Sequence, residues 1–458
     1  MIEEIRRDLH SALAWVIEIY LGLPWWATPI FWVATVIVVS SACSLMVLIV
    51  RAQRAIRLME RDPGRGSEEL QQSEYLWVFF VPALNEEVTI ADSVGRLREV
   101  EVDHKRILVI NDGSDDRTGA ILAEMKSRDL AVLTRVAPEA RKGKSEALND
   151  AWRHLTEVVL TEGECSGWDP RKVIVTIVDA DGRLDRRAGR IARHFEDPRV
   201  GGVQSLVRIY NRRSLLTWAQ HLEFAVFGFV FQMGRLGWGT ANMGGNGQFN
   251  RLQASNEVAE PGADGRVGPW REGRLTEDQD VGLRLIRAGW RGRQSTLVTI
   301  DQQGLNSLSA LYRQRTRWAQ GGWQMLDLVP ALTRNPYIGF VPKWDQFWCL
   351  MTPLLQAFVG ATVVLSIVLL TTGLVSVVWT WPIVILMYAF SVVPGLAGVM
   401  FARRSRNPFK ILLYVIAAHG YVFYSWLIFP VVYRALWRHL RGASSWAKTR
   451  REALIVES

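Results

Sequence analysis

Between Gln346 and Ala402 the chain carries no Asp, Glu, Lys or Arg. A run this long must fill a large core or face lipid. A bilayer crossing takes about 20 apolar residues. The run therefore holds two crossings, about Gln346–Gly373 and Val377–Ala402, with a turn near Thr371-Thr372-Gly373. A second uncharged run, Trp25 to Val50, is long enough for one more. It exceeds a signal-peptide core and lacks a clear cleavage site, so it is read as retained. Ile411–Val432 is a candidate for a third C-terminal crossing.

Basic clusters orient these segments. Arg51, Arg54, Arg57 and Arg61 follow the first, and Arg403-Arg404-Ser405-Arg406 follows the pair. Positive residues stay in the cytoplasm. The expected location is thus the inner or plasma membrane, multi-pass, with the folded domain cytoplasmic. One conflict remains: a third C-terminal crossing would place Arg434, Arg438, Arg441, Lys448, Arg450 and Arg451 outside. Either that segment is re-entrant or bent near His419-Gly420, or the rule fails here. Residues 1–24 place Ile5, Leu9, Leu13 and Ile17 at helical spacing, and Glu18 argues against spanning, so an interfacial amphipathic helix is expected. The expected division is that helix, a transmembrane helix at 25–50, a linker at 51–73, a folded domain at 74–340 with interfacial helices near 214–236 and 308–333, about three transmembrane helices within 341–434, and a basic tail at 435–458.

A net charge of +9 beside long apolar runs fits a membrane surface and an anionic substrate, and no nucleic-acid partner is expected. Cys43, Cys165 and Cys349 are odd in number and far apart, which excludes a disulfide framework and a zinc site. The scattered His residues show no ligand spacing, so no His- or Cys-bound metal is expected.

From Leu76 short apolar runs alternate with amphipathic helices. Strands are expected at Leu76–Val81, Arg106–Ile110, Ala131–Val136, Val173–Val178, Gly201–Ile209 and Gln294–Ile300. Lys144–Leu160 reads as a helix, as does the segment from Leu275-Thr276 to Ala288, with Thr276 as N-cap. Ala254–Gly273 reads as loop. Trp218 to Trp238 is apolar with only His221, Glu223 and Arg235 as ionisable residues, and suits either a core or a membrane surface. This alternation predicts an α/β domain with an open, mostly parallel sheet, whose ligands sit at the carboxyl ends of the strands.

Acidic residues fall at those ends. Asp179-Ala180-Asp181 places two carboxylates where both can reach one site, and oxygen ligands suit Mg²⁺ or Mn²⁺ completed by substrate phosphates. Asp-x-Asp is also an ordinary strand-end turn. Asp112 ends an earlier strand in an Asp-Gly turn, itself a common structural motif. Glu277, Asp278 and Asp280 crowd a helix start, where the helix dipole alone accounts for acids; one of them can also act as a general base. Lys144 is a phosphate contact or a solvated charge. In Gln314-Arg315-Thr316-Arg317-Trp318, helical spacing puts Gln314, Arg317 and Trp318 on one face, offering an amide, a planar cation and a flat ring for a sugar. An amphipathic helix at a membrane surface uses the same residues. Together these groups suit a nucleotide-diphosphate sugar. Neither a Walker loop nor Gly-x-Gly-x-x-Gly opening a βα turn is present, so ATPase and dinucleotide readings lack their motifs.

From about Val81 to Gln324 the chain resembles the membrane-embedded family 2 glycosyltransferases: cellulose, chitin, hyaluronan and poly-N-acetylglucosamine synthases. The resemblance rests on Val81-Pro82-x-x-Asn85-Glu86, Asn111-Asp112-Gly113-Ser114, Lys142-Gly143-Lys144 with Ala147-Leu148-Asn149, Asp179-Ala180-Asp181, Thr276-Glu277-Asp278 and Gln314-Arg315-x-Arg317-Trp318, in that order. It implies a GT-A-type, Rossmann-like mixed sheet flanked by transmembrane helices, and processive, inverting transfer from a UDP-sugar to a growing polysaccharide. Pro82, Glu86, Asp112, Lys144, Asp179, Gln314, Arg315 and Arg317 would bind the donor. Asp179 and Asp181 would hold the metal, Asp278 would be the catalytic base, and Trp318, Gly245 and Asn246 would meet the acceptor. The lipid bilayer and accessory membrane or envelope subunits are the other partners this family allows. Gly244-Gly245-Asn246-Gly247 departs from the Phe-x-Cys-Gly-Ser form of cellulose synthases, which argues against cellulose, and nothing resembling a cyclic-dinucleotide sensor follows the last apolar segment. The alternative is a non-processive membrane enzyme that makes a glycolipid; the several C-terminal apolar segments and the Trp318–Trp323 stretch favour the polymer.

Overall fold

The computed structural model describes residues 23–61, 72–375, 381–403 and 407–443. The expected interfacial helix at 1–24 lies almost wholly outside these residues, as do 62–71 of the linker and 444–458 of the tail. The principal elements are α1 (Thr28–Arg61), β1 (Leu76–Ala83), α2 (Ile90–Arg98), β2 (His104–Asp112), α3 (Thr118–Glu124), β3 (Leu130–Arg135), α4 (Lys144–His154), β4 (Val173–Ile177), β5 (Arg183–Leu184), β6 (Val200–Ile209), α5 (Leu215–Ala225), β7 (Gln248–Arg251), α6 (Leu252–Glu257), β8 (Glu260–Pro261), β9 (Val267–Gly268), α7 (Glu277–Arg287), β10 (Arg291–Gln302) and α8 (Leu308–Gln324). Then come α9 (Phe340–Thr371), α10 (Trp381–Arg403), α11 (Pro408–Ser425) and α12 (Ile428–Leu440).

One mixed sheet runs in the order β3-β2-β1-β4-β7-β6-β10-β5. β1 pairs parallel with β2 and β4, while β7 runs antiparallel to both β4 and β6. Alternate β1 side chains enter opposite layers, as the pleat requires. Trp77, Phe79 and Val81 pack with Ile90, Val94 and Leu97 of α2, whereas Leu76, Val78 and Phe80 pack with Leu148 and Ala151 of α4. The chain fills the sheet outward from β1 to β3, then crosses back to β4 on the other side. That reversal opens a crevice at the carboxyl ends of β1 and β4, where such sheets take ligands.

Several boundaries differ from expectation. α1 continues past Val50 to Arg61 because Ala52 and Ile56, one turn apart, are buried against the domain. The expected loop at Ala254–Gly273 contains α6 and a β8–β9 hairpin; two-residue strands are too short to leave a period in the sequence. The stretch from Trp218 to Trp238 is a helix with a wide π turn at Val226–Gln232. It forms a wedge in which Leu222, Val226, Phe229 and Met233 pack with Ala52 and Ile56 of α1 and Val399 of α10. Membrane-type and domain-type surfaces meet there, which is why its sequence suited both.

Among the described residues three segments are long and apolar enough to cross a membrane: Thr28–Met59, Phe340–Thr371 and Pro408–Leu440. The last is broken between α11 and α12, at Ser425–Ile428, and not near His419-Gly420, which lies inside α11. Its contacts follow the domain throughout. Lys410 and Tyr414 share a cleft with His221 of α5, and the Tyr424 hydroxyl donates to Glu223 of α5 at 2.7 Å. The Trp323 indole donates to the Val432 carbonyl at 3.3 Å, and Arg438 donates to Gln320 of α8 at 3.1 Å. Both ends of the α11–α12 pair therefore rest on the same folded domain.

A buried ion pair fastens α9 to the wedge: Arg235 Nε lies 2.6 Å from Asp345 Oδ2, with side chains 8% and 6% exposed. Removing one member leaves the other charged and buried, at a cost of about 3–5 kcal/mol, whereas replacing both by apolar residues recovers most of it. Asp345→Ala should therefore lower the unfolding temperature of the detergent-purified protein sharply, and Arg235→Met with Asp345→Leu should restore much of the loss.

Candidate active site

A cleft of about 340 Å³ opens at the carboxyl edge of β1, β2 and β4. Pro82, Glu86, Asp112, Lys144, Asp179, Asp181, Gly245, Asn246, Asp278, Gln314, Arg317 and Trp318 all line it. Of the sequence-derived candidates only Arg315 and Asp280 do not, Asp280 being fully buried against Arg274 and Arg284. Residues spread over more than 200 positions are thus gathered on one cavity, which a set of unrelated surface turns would not do.

The donor side starts at the strand ends. Asp112 Oδ1 accepts from Arg135 Nη1 at 2.5 Å and from the Arg141 amide at 2.9 Å, which leaves Oδ2 for a ligand. Asp179 follows β4, and its Oδ1 meets Lys144 Nζ at 2.7 Å. Lys144, the first residue of α4, also lies 3.3 Å from Glu277. Burial works against its ammonium, yet Asp179 and Glu277 outweigh burial and hold its pKa above the ordinary lysine value. Asp181 is 6% exposed, and its Oδ2 accepts the Gln303 amide at 3.2 Å.

Asp278 stands in the first turn of α7 beside Glu277. Burial first, and the Glu277 carboxylate second, push its pKa up to about 7, with Lys144 opposing. It keeps a surface open to the cleft despite dense surroundings. Thr276 precedes α7 but its hydroxyl makes no capping hydrogen bond, in contrast to the sequence expectation. Its side chain packs instead on Gly321, where a Cβ would collide with it, so α8 approaches α7 closely and brings Arg317 and Trp318 to Asp278.

The loop at Gly244–Gly247 is held from behind. Gln204 accepts the Gly244 amide at 2.8 Å and donates to the Asn246 carbonyl at 2.8 Å. Asn246 Oδ1 accepts the Asp179 amide at 3.1 Å while its Nδ2 donates to Gln302 at 3.0 Å. Asn246, expected to meet the acceptor, spends its amide on placing Asp179 relative to this loop.

Arg315 is buried behind the wall. It donates to Glu223 Oε2 at 2.5 Å and stacks over the Trp318 ring with its guanidinium carbon 4.0 Å from the centroid. Tyr424 of α11 donates to the same Glu223 oxygen at 2.7 Å. Arg315 follows Gln314 by one residue, about 100° round α8, which turns it out of the cleft, while its (i, i+3) relation to Trp318 lets it support that ring from behind. Glu223, which does line the cleft, had one signal in sequence: a carboxylate in an otherwise apolar stretch. Tyr424 had none, because its partner is 201 residues away.

Gly245 has φ +80°, and a Cβ there would sit 2.9 Å from Asp278 Oδ2. Left-handed backbone costs a non-glycine residue about 1–2 kcal/mol. Gly245→Ala should lower the unfolding temperature accordingly and should also perturb Asp278, seen as a changed carboxyl titration by difference infrared spectroscopy.

Residues 78–258 match the glycosyl transferase family 2 description, and residues 174–393 match glycosyl transferase family group 2. Over 308 residues the chain is 30% identical to a beta-monoglucosyldiacylglycerol synthase of Trichormus variabilis, covering 65% of this chain and 60% of that one. Over 293 residues it is 25% identical to a poly-beta-1,6-N-acetyl-D-glucosamine synthase of Staphylococcus aureus, covering 63% and 64%. The chain thus spans under two thirds of the length of these relatives. A mannosyltransferase from Pyrobaculum calidifontis, solved with GDP-Man and Mn²⁺, superposes with a TM-score of 0.50 at 17% identity, covering 90% of this chain and 99% of that one. That likeness is one of fold, an open mixed sheet of the GT-A kind with apolar helices flanking the domain. Residues 78–393 thus carry glycosyltransferase family 2 sequence on a fold of the GT-A kind.

Proposed function

We propose that this enzyme transfers a sugar from a UDP-sugar, with inversion, to a hydroxyl that reaches the cleft from the membrane side. One observation carries the reading. The same cleft holds the acid–base set of Asp179, Asp181 and Lys144 on one side, and on the other Asp278 facing a wall made by α5 and α8. Those two helices rest on α11 and α12.

In this reading Asp112 binds the nucleotide base, and Lys144, Gln314 and Arg317 hold the diphosphate. Cations fixed in a partly dry cleft stabilise the charge that develops on a leaving diphosphate. Asp278 takes the proton from the acceptor hydroxyl as it attacks, and a carboxyl that titrates near neutrality is matched to that task. Trp318 offers its ring to the acceptor. Arg315, Glu223 and Tyr424 fix the ring's position from behind.

Asp179 and Asp181 suit Mg²⁺ or Mn²⁺. Both are hard oxygen donors on the cleft wall, and among the described residues no His, Cys, Asp or Glu trio forms a cage of its own. Such a pair expects substrate phosphates and water to complete the shell. When bound, the cation would neutralise the diphosphate.

Two acceptors fit. A lipid hydroxyl is supported by the 30% identical relatives, named beta-monoglucosyldiacylglycerol synthases. The non-reducing end of a growing polysaccharide is supported by the Staphylococcus aureus relatives and by Trp318. Trp323 no longer adds to the polymer reading, since it is buried against Val432 and Ala357. We favour the glycolipid. For topology, α1, α9 and α10 are taken as crossings. α10 has 23 residues, and at about 1.5 Å rise each these match a hydrocarbon core of about 30 Å. With the α11–α12 pair lying along the cytoplasmic face, all three arginine clusters fall on that side and the sequence conflict is removed.

The test uses the purified protein with radiolabelled UDP-sugars, Mg²⁺ or Mn²⁺, and diacylglycerol present or absent. Label in the organic-extractable fraction only when lipid is added supports the glycolipid. A high-molecular-weight ladder without lipid makes the enzyme a polymer synthase, and silence with every donor overturns the UDP-sugar reading. Asp278→Asn should reduce transfer by at least about 10²-fold with UDP affinity retained in equilibrium binding. As the base acts only when ionised, the wild-type rate should rise about tenfold per pH unit up to about 7 and then level.

A further inference from the structure

A second cleft, about 380 Å³ in volume, lies on the far side of α5 from the reaction cleft. Its walls come from α5, the end of α10 and the start of α11, and include Trp218, His221, Arg403, Lys410, Leu413 and Tyr414. Arg212 stands beside it, with Nη1 3.5 Å from His221 Nε2. Among the described residues no carboxylate pairs with Arg212, Arg403 or Lys410. Asp301, the one carboxylate whose field reaches Arg212, is already held by Arg208 at 2.7 Å.

The crowding shows in the titrating groups. Burial, then Arg403 and Arg208, pull the Arg212 guanidinium below its ordinary value. Burial, then Arg212 and Arg403, push His221 down to about 4, so it stays neutral and adds no charge. Arg212, Arg403 and Lys410 are all exposed and lie together without a counter-charge, so they repel one another and are open to an anion arriving from outside.

The rim identifies the kind of anion. Leu215 is 88% and Phe409 78% exposed, and Leu412 and Leu413 continue this apolar surface along α11. Arg403 is the last residue of the apolar helix α10. Cations at the end of an apolar helix, beside an exposed apolar strip, match a molecule with a phosphate at one end and hydrocarbon at the other.

We infer that this cleft binds an anionic phospholipid, with its phosphate among Arg212, Arg403 and Lys410 and an acyl chain along Leu413. The site is separate from the reaction cleft but shares α5 with it: His221 faces the lipid while Glu223 and Phe224 face the reaction. The inference rests on α10 and α11 meeting a bilayer, and not on the identity of the sugar or the acceptor.

Binding of short-chain phosphatidylglycerol and phosphatidylcholine to the full-length protein in neutral detergent, read by native mass spectrometry, tests it without any activity assay. The expected result is at least fivefold tighter binding of phosphatidylglycerol. R212Q/R403Q/K410Q should lose that preference, whereas R403K/K410R and K343Q should keep it. Should the triple variant fail to fold, as read by its unfolding transition, the single variant K410Q should still weaken phosphatidylglycerol measurably. Equal binding of the two lipids by the wild type, or an undiminished preference in the folded glutamine variants, overturns the site. Inorganic phosphate displacing phosphatidylglycerol as effectively as unlabelled lipid overturns the lipid assignment in favour of a free-phosphate site.

Discussion

One ammonium holds the reaction cleft together. Lys144 opens α4 and bridges Asp179, which follows β4, and Glu277, which opens α7. Without it, Asp179, Glu277 and Asp278 would place like charges in one dense region, and carboxylates so placed cannot all stay ionised. The pair of bridges also ties the end of β4 to the start of α7 across the crevice. Burial and the Glu277 carboxylate, against the opposing pull of Lys144, push Asp278 toward neutrality. A structural charge balance and a carboxyl that titrates near neutrality are thus two aspects of one arrangement.

The membrane-side helices extend the same logic. α5 and α8 build the wall opposite Asp179, and neither is free to move alone. Glu223 receives Arg315 from α8 and Tyr424 from α11 on one oxygen, and Arg315 in turn lies flat on Trp318. A buried guanidinium is tolerated because its charge is matched by Glu223 and its face by an aromatic ring. The consequence is that the position of a cleft-lining ring depends on a helix more than 100 residues downstream. On the other side of α5 lie the basic cleft and its exposed apolar rim, so a single helix separates the two clefts.

Much of the domain was legible because its strands are buried on both faces. Runs such as Leu76–Val81 and Val173–Val178 need no partner to be recognised, and acids following them mark the carboxyl edge. β8 and β9 were not legible, since two residues carry no period. The wedge around Val226–Gln232 was ambiguous for a physical reason: it packs on the sheet with one face and on α1 and α10 with the other, so its composition belongs to both environments. Within the candidate site, residue type pointed to Asp112, Asp179, Asp181 and Asp278, and the structure places all four on one cleft. It did not separate groups that face the cleft from those that support it. Asn246 and Arg315 have the right chemistry for ligand contact but spend it on neighbours.

Sequence alone determined the apolar spans, most of the order of strands and helices, and the family resemblance, because each depends on local pattern or on residues fixed at short spacing. The tertiary structure decided what depends on distance in space. It set which arginine of the Gln314–Trp318 stretch faces the cleft, because helical phase matters only once a neighbour occupies one side. It tied the last apolar segment, whose length permits a crossing, to the domain through hydrogen bonds with Glu223, Trp323 and Gln320. It also brought Arg212, Arg403 and Lys410 together from two distant parts of the chain, and a concentration of unpaired charge exists only after folding has made one.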